Sequence, residues 1–351
     1  MGNNRVFAIE ALRQFIVQAL AAAGVPAAEG KLVADNLIHA DLWGIGTHGV
    51  SRFPIYLKRI QAGAVNPRPE IRIDNSWPAV LSVDGNNGLG AVVTVKALDA
   101  AIVTADKFGL CAAGIKGSNH FGAAGYYCDM GARANCITIV LTDAPPAIPP
   151  WGGKEAYFGT NPIAIGLPRK GKPPVVLDMA TSLVARGKII EAAGRGENIP
   201  EGWALNKEGV PTINAQEALA GTLLPMAGPK GYALALAVEH LAGVLTGAAF
   251  GRDVAWQYGD KQSPANVGHI IIVLKADAFI GQDNYYERNE RFFREIKACE
   301  KAAGISEIYL PGEREQILEQ TLIKSGIEVP EGLVKKFETI AREYGLSLAS
   351  A

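Results

Sequence analysis

The sequence is sparing with cysteine: four in 351 residues, at positions 111, 128, 136 and 299. No two form a C-x-x-C pair and none stands with histidines at zinc-ligand spacing, so a zinc module or a disulfide framework is excluded. Three of the four fall in apolar stretches and read as small core residues, which fits a reducing compartment. An excess of charge is also missing. Lys and Arg number 34 against 35 Asp and Glu, a net charge of −1, and no basic tract or stripe occurs. Nucleic acid and anionic membranes are therefore not expected partners. Long apolar runs are absent too. The most apolar window, 231–250, is interrupted by Glu239 and His240, and reads as a buried helix and not a membrane span. The first residues lack the apolar run of a signal peptide, so the expected location is cytoplasmic.

What remains is ordinary globular composition, 48% apolar and 20% charged, in a chain long enough to bury a large core. Two helices open the sequence. Leu12, Phe15, Ile16, Ala19 and Leu20 recur at helical spacing, and Gly24 with Pro26 ends the first. The second runs from about 27 to 43. A third is predicted over 52–62, with Ser51 as its cap and Phe53, Tyr56, Leu57 and Ile60 on one face. Short apolar runs then appear at 79–83, 110–115, 137–141, 163–167, 174–177 and 269–274, with helical stretches at 90–107, 120–133 and 231–247. Alternation of this kind predicts an α/β fold with a largely parallel or mixed sheet. Residues 287–351 read as helical again. The expected division is a discontinuous helical outer part, 1–75 with 287–351, around an α/β core at 76–286.

Gly44-Ile45-Gly46-Thr47-His48-Gly49 matches G-x-G-x-x-G. The dinucleotide fingerprint needs a strand in front of it. Here an amphipathic helix precedes, and no acidic residue follows at the end of a second strand. The glycines read as a helix-to-helix turn, and any dinucleotide must be bound by another architecture.

His48 lies in that turn with Arg52 four residues on. An imidazole there exchanges protons near pH 7 and a guanidinium grips a carboxylate with two hydrogen bonds, a pairing suited to a 2-hydroxy acid. Spacing alone favours a capping histidine and a surface arginine over that chemistry. His120 follows the strand at 110–115, with Asn119 as the natural cap of the helix after it. Asp143 follows the strand at 137–141, read as the neighbour in a β-α-β unit. Ligands of open α/β sheets bind at that edge, so His120 and Asp143 are a candidate acid/base couple, or a cap and a turn. Gly228-Pro229-Lys230-Gly231 opens a helix and offers backbone donors and a cation to an anion, or is a simple turn. Asp178 ends the strand at 174–177 and leads into Met179-Ala180-Thr181-Ser182, while Thr160 and Asn161 stand in a turn before another strand. His39, His240 and His269 sit on helix or strand patterns and read as structural.

Several stretches together resemble the malate/L-lactate dehydrogenase family, which is distinct from the Rossmann-type enzymes: THGVSRFPIYL (47–57), GSNHFGAAGYY (117–127), PPWGGKEAYFGTNP (149–162), VVLDMATS (175–182), LPMAGPKGYALAL (224–236), GVLTGAAFG (243–251) and YLPGE (309–313). They stand in family order along nearly the whole chain. The resemblance implies a homodimer with a non-Rossmann mixed-sheet core and helical N- and C-terminal parts. It implies that His48 or His120 handles the substrate proton, with Asp143 beside them. Arg52 is implied as the substrate-carboxylate ligand, with Thr160 and Asn161 also toward substrate. A nicotinamide cofactor is implied along Asp178, Met179, Ala180, Thr181 and Ser182 to Val184, at Pro229 and Lys230, and at Gly312, Glu313 and Arg314. The expected substrate is malate- or lactate-like, with ureidoglycolate as the alternative on the strength of the stretch from 199 to 274. NAD is the expected cofactor. NADP remains open, because Arg314 or Arg186 could meet its 2′-phosphate.

Overall fold

A helical layer comes first, as the apolar spacing predicts. In the computed structural model, which describes residues 4–256 and 263–348, β1 (Arg5–Phe7) leads into α1 (Ile9–Ala22) and α2 (Ala27–Leu42). A single 3-10 turn, Val50–Arg52, precedes α3 (Phe53–Gln61). The sheet region follows: β2 (Arg72–Trp77), β3 (Val80–Asp84), α4 (Gly90–Phe108), β4 (Leu110–Ser118), α5 (Ala124–Arg133), β5 (Cys136–Thr142), β6 (Ile163–Leu167) and β7 (Val175–Met179). A smaller unit holds α6 (Arg186–Arg195), β8 (Ala204–Leu205), β9 (Pro211–Thr212), α7 (Ala215–Ala220) and β10 (Thr222–Leu223). The chain ends with α8 (Pro229–Glu239), β11 (Val267–Lys275), α9 (Gln282–Lys297), α10 (Glu313–Ser325), β12 (Ile327–Val329) and α11 (Glu331–Tyr344).

All six predicted strands belong to one mixed seven-stranded sheet, in the order β2-β3-β4-β11-β5-β6-β7. Only β3 and β4 pair in parallel; the other neighbours are antiparallel. This corrects one expectation. β4 and β5 are parallel to each other but not adjacent, because β11 lies between them and bonds to both. A run as apolar as Ile270-Ile271-Ile272-Val273 buries both its faces most completely in the middle of a sheet. The directions still bring the carboxyl ends of β4, β5 and β7 to one edge, where β6 and β11 begin.

The chain ends meet. β1 pairs antiparallel with β12, Val6 opposite Glu328. Phe15 on α1, Phe53 on α3 and Phe337 on α11 form a triangle with ring centroids 5.6–6.0 Å apart. These buried rings fix α3 over the edge of the sheet and join a core continuous with Val83, Val93, Ile115 and Ile271. A second, smaller cluster around Ile148, Phe158, Ile189 and Leu223 holds the β8–β10 unit. Two helix ends differ from expectation. Ser51 does not cap α3; its hydroxyl donates to the Gly46 carbonyl at 2.7 Å. The helix expected over 231–247 starts at Pro229, and its α geometry gives way to a π-helical turn over His240–Val244.

Candidate active site

The turn that carries His48 is held by one carboxylate. Asp41, near the end of α2, accepts the Val50 N–H at 2.7 Å. A Cβ on Gly49 would stand 2.0 Å from an Asp41 oxygen, so only glycine lets the turn close this tightly. No strand precedes Gly44-x-Gly46-x-x-Gly49, in agreement with its reading as a turn between helices.

His120 reaches the same place by a different route from the one predicted. α5 begins at Ala124 and not at His120, and its N-cap, Ala123, supplies no side-chain bond. Asn119 is therefore not a cap. Its amide donates to the Gly88 carbonyl at 2.8 Å and to the Asn87 side chain at 3.0 Å, which pins the loop after β4. His120 and His48 stack with centroids 5.4 Å apart and planes 22° from parallel. The Tyr56 hydroxyl lies 2.5 Å from His120 Nδ1, and the Gly122 N–H donates to the same atom at 3.3 Å. An N–H donor requires a lone pair, so Nδ1 is unprotonated and the neutral ring carries its proton on Nε2. Gly122 is at φ +81°, and a Cβ there would fall 1.7 Å from the Asn36 amide oxygen. His48 Nδ1 contacts Thr47 Oγ1 at 3.0 Å. Burial, reinforced by Arg52, lowers the His48 pKa to about 4. Burial, then the repulsion that a proton on His120 would meet from a protonated His48 and from Arg52, holds His120 well below the usual range. Both rings are therefore neutral bases at pH 7.

The stacked pair stands where two lobes of one cleft meet. The inner lobe is lined by Tyr56, Arg59, Asn119 and Asp143 among others. The outer lobe is lined by Arg52, Asp178, Met179, Ala180, Arg186 and Glu315 among others. His48, His120, Gly122, Ala144, Pro145, Thr160 and Pro162 line both. Behind the pair, Phe121 stacks on His269 at 4.5 Å, and both His269 nitrogens are occupied, by Thr142 at 2.7 Å and Ser118 at 2.8 Å. His269 is structural, as its strand position implied.

The remaining candidates divide. Asp143 lines the inner lobe but does not pair with a histidine: one oxygen accepts the Gly268 N–H at 3.0 Å and the other has no partner among the described residues. Burial, with Glu239 nearby, pushes its pKa well up. Asn161 is turned away from the cleft, against its expected place toward substrate. It is 0% exposed and its amide donates to Glu239 at 2.6 Å and to the Ala235 carbonyl at 3.0 Å, a tie between the start of β6 and α8. Asp178 accepts the Gly125 N–H at 2.7 Å. Thr181 and Ser182 are buried, their hydroxyls donating to the Thr160 and Val184 carbonyls, so they shape the outer wall from behind. Pro229 and Lys230 open α8 but line neither lobe. Nor do Gly312, Glu313 and Arg314; Glu313 is paired with Lys297 at 2.8 Å. The segment does run beside the site strand, since the Pro311 carbonyl accepts the Val176 N–H.

Sequence reasoning passed over Tyr56 and Arg59. Tyr56 was read only as part of an apolar face. The signal was the spacing 52, 56, 59, which places Arg, Tyr and Arg on one helical stripe after His48.

Comparison with known proteins accords with this geometry. Residues 7–338 match the malate/L-lactate dehydrogenase family. The chain is 39% identical over 336 residues to an L-sulfolactate dehydrogenase from Methanocaldococcus jannaschii, covering 96% of each chain. It is 36% identical to a ureidoglycolate dehydrogenase (NAD(+)) from Escherichia coli K12, covering 92% of each. A solved sulfolactate dehydrogenase structure from Methanocaldococcus jannaschii superposes with a TM-score of 0.92 at 38% identity, covering 98% of both chains. With a family match over nearly its whole length and the same mixed-sheet fold, this chain belongs to the malate/L-lactate dehydrogenase family.

Proposed function

We propose that the protein is an NAD(P)-dependent oxidoreductase that interconverts a small 2-hydroxy acid, malate- or lactate-like, and its 2-oxo acid. The observation that carries this reading is the stacked, neutral His48–His120 pair at the junction of the two lobes. The outer lobe suits a nicotinamide ring: small wall residues such as Ala123, Ala124, Ala180 and Gly187 let a flat ring approach the backbone. When bound, the nicotinamide exchanges a hydride with substrate C2. Met179, Ala180 and Arg186 are the residues that would contact it.

The histidines take different parts in this reading. His120 presents Nε2–H to the substrate oxygen, because Nδ1 is already an acceptor. His48, with Nδ1 on Thr47, turns Nε2 to the same oxygen and accepts its proton during oxidation. Arg52 holds the C1 carboxylate and so aims C2 at the outer lobe. Thr160, on the wall common to both lobes, borders the substrate. A cytoplasmic homodimer is part of the reading. Cys111, Cys128 and Cys136 are free and buried, and Phe279 and Phe292 are 83% and 57% exposed, apolar side chains that a second copy would cover.

The test is turnover of 2-oxo acids with NADH and NADPH by the purified protein and by His48→Ala and His120→Ala. We expect about 10²–10⁴-fold losses in kcat for each variant, with cofactor binding by nicotinamide fluorescence retained. Near-normal turnover in either variant removes that histidine from the chemistry.

A further inference from the structure

Resting on the nicotinamide-dependent reading of the site, we propose that Trp256 covers the nicotinamide ring: its indole stacks on the face of the ring that is turned away from the substrate, leaving the opposite face to C2.

Trp256 lines the outer lobe and is 44% exposed. Apart from the two histidines, it is the aromatic side chain of that wall among the described residues. Ala123, Ala124, Ala180 and Gly187 share the wall and leave room for a flat group. An indole this open to water is stabilised by being covered, and offset stacking on a second planar ring adds to the gain from burial. The orientation of the indole is supported from another part of the fold. The Arg186 guanidinium lies 5.8 Å from the indole centroid, and it donates to the Leu219 carbonyl on α7 at 2.8 Å. A guanidinium over an indole is attracted by the ring, so an arginine tied to the β8–β10 unit steadies a tryptophan that stands in the segment before β11.

The place of Trp256 along the lobe selects which ring it meets. Ala255 lines the inner lobe and Trp256 the outer one. Consecutive Cα atoms are about 3.8 Å apart, so the chain passes from one lobe to the other at this step. The stacked His48 and His120 line both lobes at their junction. Trp256 is therefore rooted beside the point where C2 meets the cofactor. The nicotinamide must come to that point, whereas the adenine is carried at the other end of the ribose–pyrophosphate–ribose link. Hydride transfer uses one face of the nicotinamide, and the indole takes the other. A ring held between substrate and indole is fixed in its angle to C2 and is shielded from water while the hydride passes.

The experiment measures binding and a spectrum in wild type, Trp256→Ala and Trp256→Phe. Affinities for NADH, NADPH and ADP-ribose, which has the adenine end without nicotinamide, are read by calorimetry. Trp256→Ala should weaken the reduced cofactor about tenfold and leave ADP-ribose within about twofold. Trp256→Phe keeps a ring to stack on and should stay within about threefold of wild type for both. The second readout is absorbance on adding the oxidised cofactor. An oxidised nicotinamide draws charge from an indole stacked on it, so wild type should gain a broad band above the protein's own absorbance. Trp256→Phe should lack that band while still binding, which serves if the alanine variant does not fold. A Trp256→Ala protein that binds the reduced cofactor as tightly as wild type, one that loses cofactor and ADP-ribose alike, or a wild type without the band overturns the role of Trp256 and leaves the nicotinamide-dependent reading standing. A wild type that binds neither NADH nor NADPH overturns both.

Discussion

The hydroxyl of Tyr56 and the backbone N–H of Gly122 converge on one atom, Nδ1 of His120, at 2.5 and 3.3 Å. Two donors on one ring nitrogen leave Nε2 as the position that carries the proton. The tautomer is thus set by residues from two elements that also build the fold: Tyr56 belongs to α3, fixed by the phenylalanine triangle, and Gly122 to the loop between β4 and α5. Tyr56→Phe removes the stronger donor and keeps the ring's packing. We expect kcat to fall about ten- to a hundredfold with KM for the 2-oxo acid little changed, and the pH profile of kcat to move, because the His120 tautomer is no longer fixed. A loss confined to KM would show that Tyr56 contacts substrate and does not act through His120.

The turn at His48 depends on the approach of Gly49 to Asp41. Burial raises the Asp41 pKa to about 7, against the opposing effect of the Val50 N–H it accepts. A methyl group at position 49 meets this carboxyl at 2.0 Å. Gly49→Ala should therefore cost about 1–3 kcal/mol of stability. It should also displace His48, lowering kcat by more than tenfold in a variant that still binds cofactor. Wild-type kcat in Gly49→Ala would show that the turn yields without moving the histidine. Asp41→Asn keeps the acceptor for Val50 and should fold normally.

Much of this was legible in the sequence because the signals are local. Apolar runs of about five residues marked all six of the expected strands, and Leu12, Phe15 and Ile16 marked the buried face of α1. His48, Arg52 and His120 stood out by residue type and neighbouring glycines. What was not legible depends on pairing across long separations. Nothing within 137–141 says that β11, more than 120 residues later, intervenes between β4 and β5. Asn161 stands in a turn that is ordinary by itself, and only the family resemblance of that stretch points it toward substrate. Its orientation is decided by Glu239, 78 residues away, which offers a buried carboxylate as acceptor.

That contact makes Asn161 a test of position against chemistry. Asn161→Ala leaves a Glu239 oxygen buried without its donor, a loss of about 2–3 kcal/mol. It should appear as a lower denaturation midpoint with unchanged slope, while KM for the 2-oxo acid stays within about twofold. A large rise in KM with undiminished stability would return Asn161 to the substrate site.

His269 gives the stability of the fold a defined pH dependence. Burial lowers its pKa to about 3, while the unfolded ring titrates near 6.5. Between those values the unfolded chain binds a proton that the folded chain excludes, so this contribution is present above about pH 6.5 and is lost as pH falls. Each unit of the gap corresponds to about 1.4 kcal/mol, on the order of 2 kcal/mol between pH 6.5 and 5. His39, lowered to about 4 by burial, acts in the same direction. Asp41 and Asp178, raised to about 7 and 6 by burial, act in the opposite one, because their folded forms hold protons that the unfolded chain releases as pH rises. The informative quantity is therefore a difference. His269→Gln retains hydrogen bonding toward Thr142 and Ser118 but cannot titrate. We expect the variant to be less stable than wild type at pH 8 and the gap to narrow steadily from pH 6.5 to 5 in urea unfolding. Parallel curves for the two proteins across that range would mean that His269 takes up its proton in the folded state as readily as in the unfolded one, and that the Thr142–His269–Ser118 chain can rearrange to admit the charge.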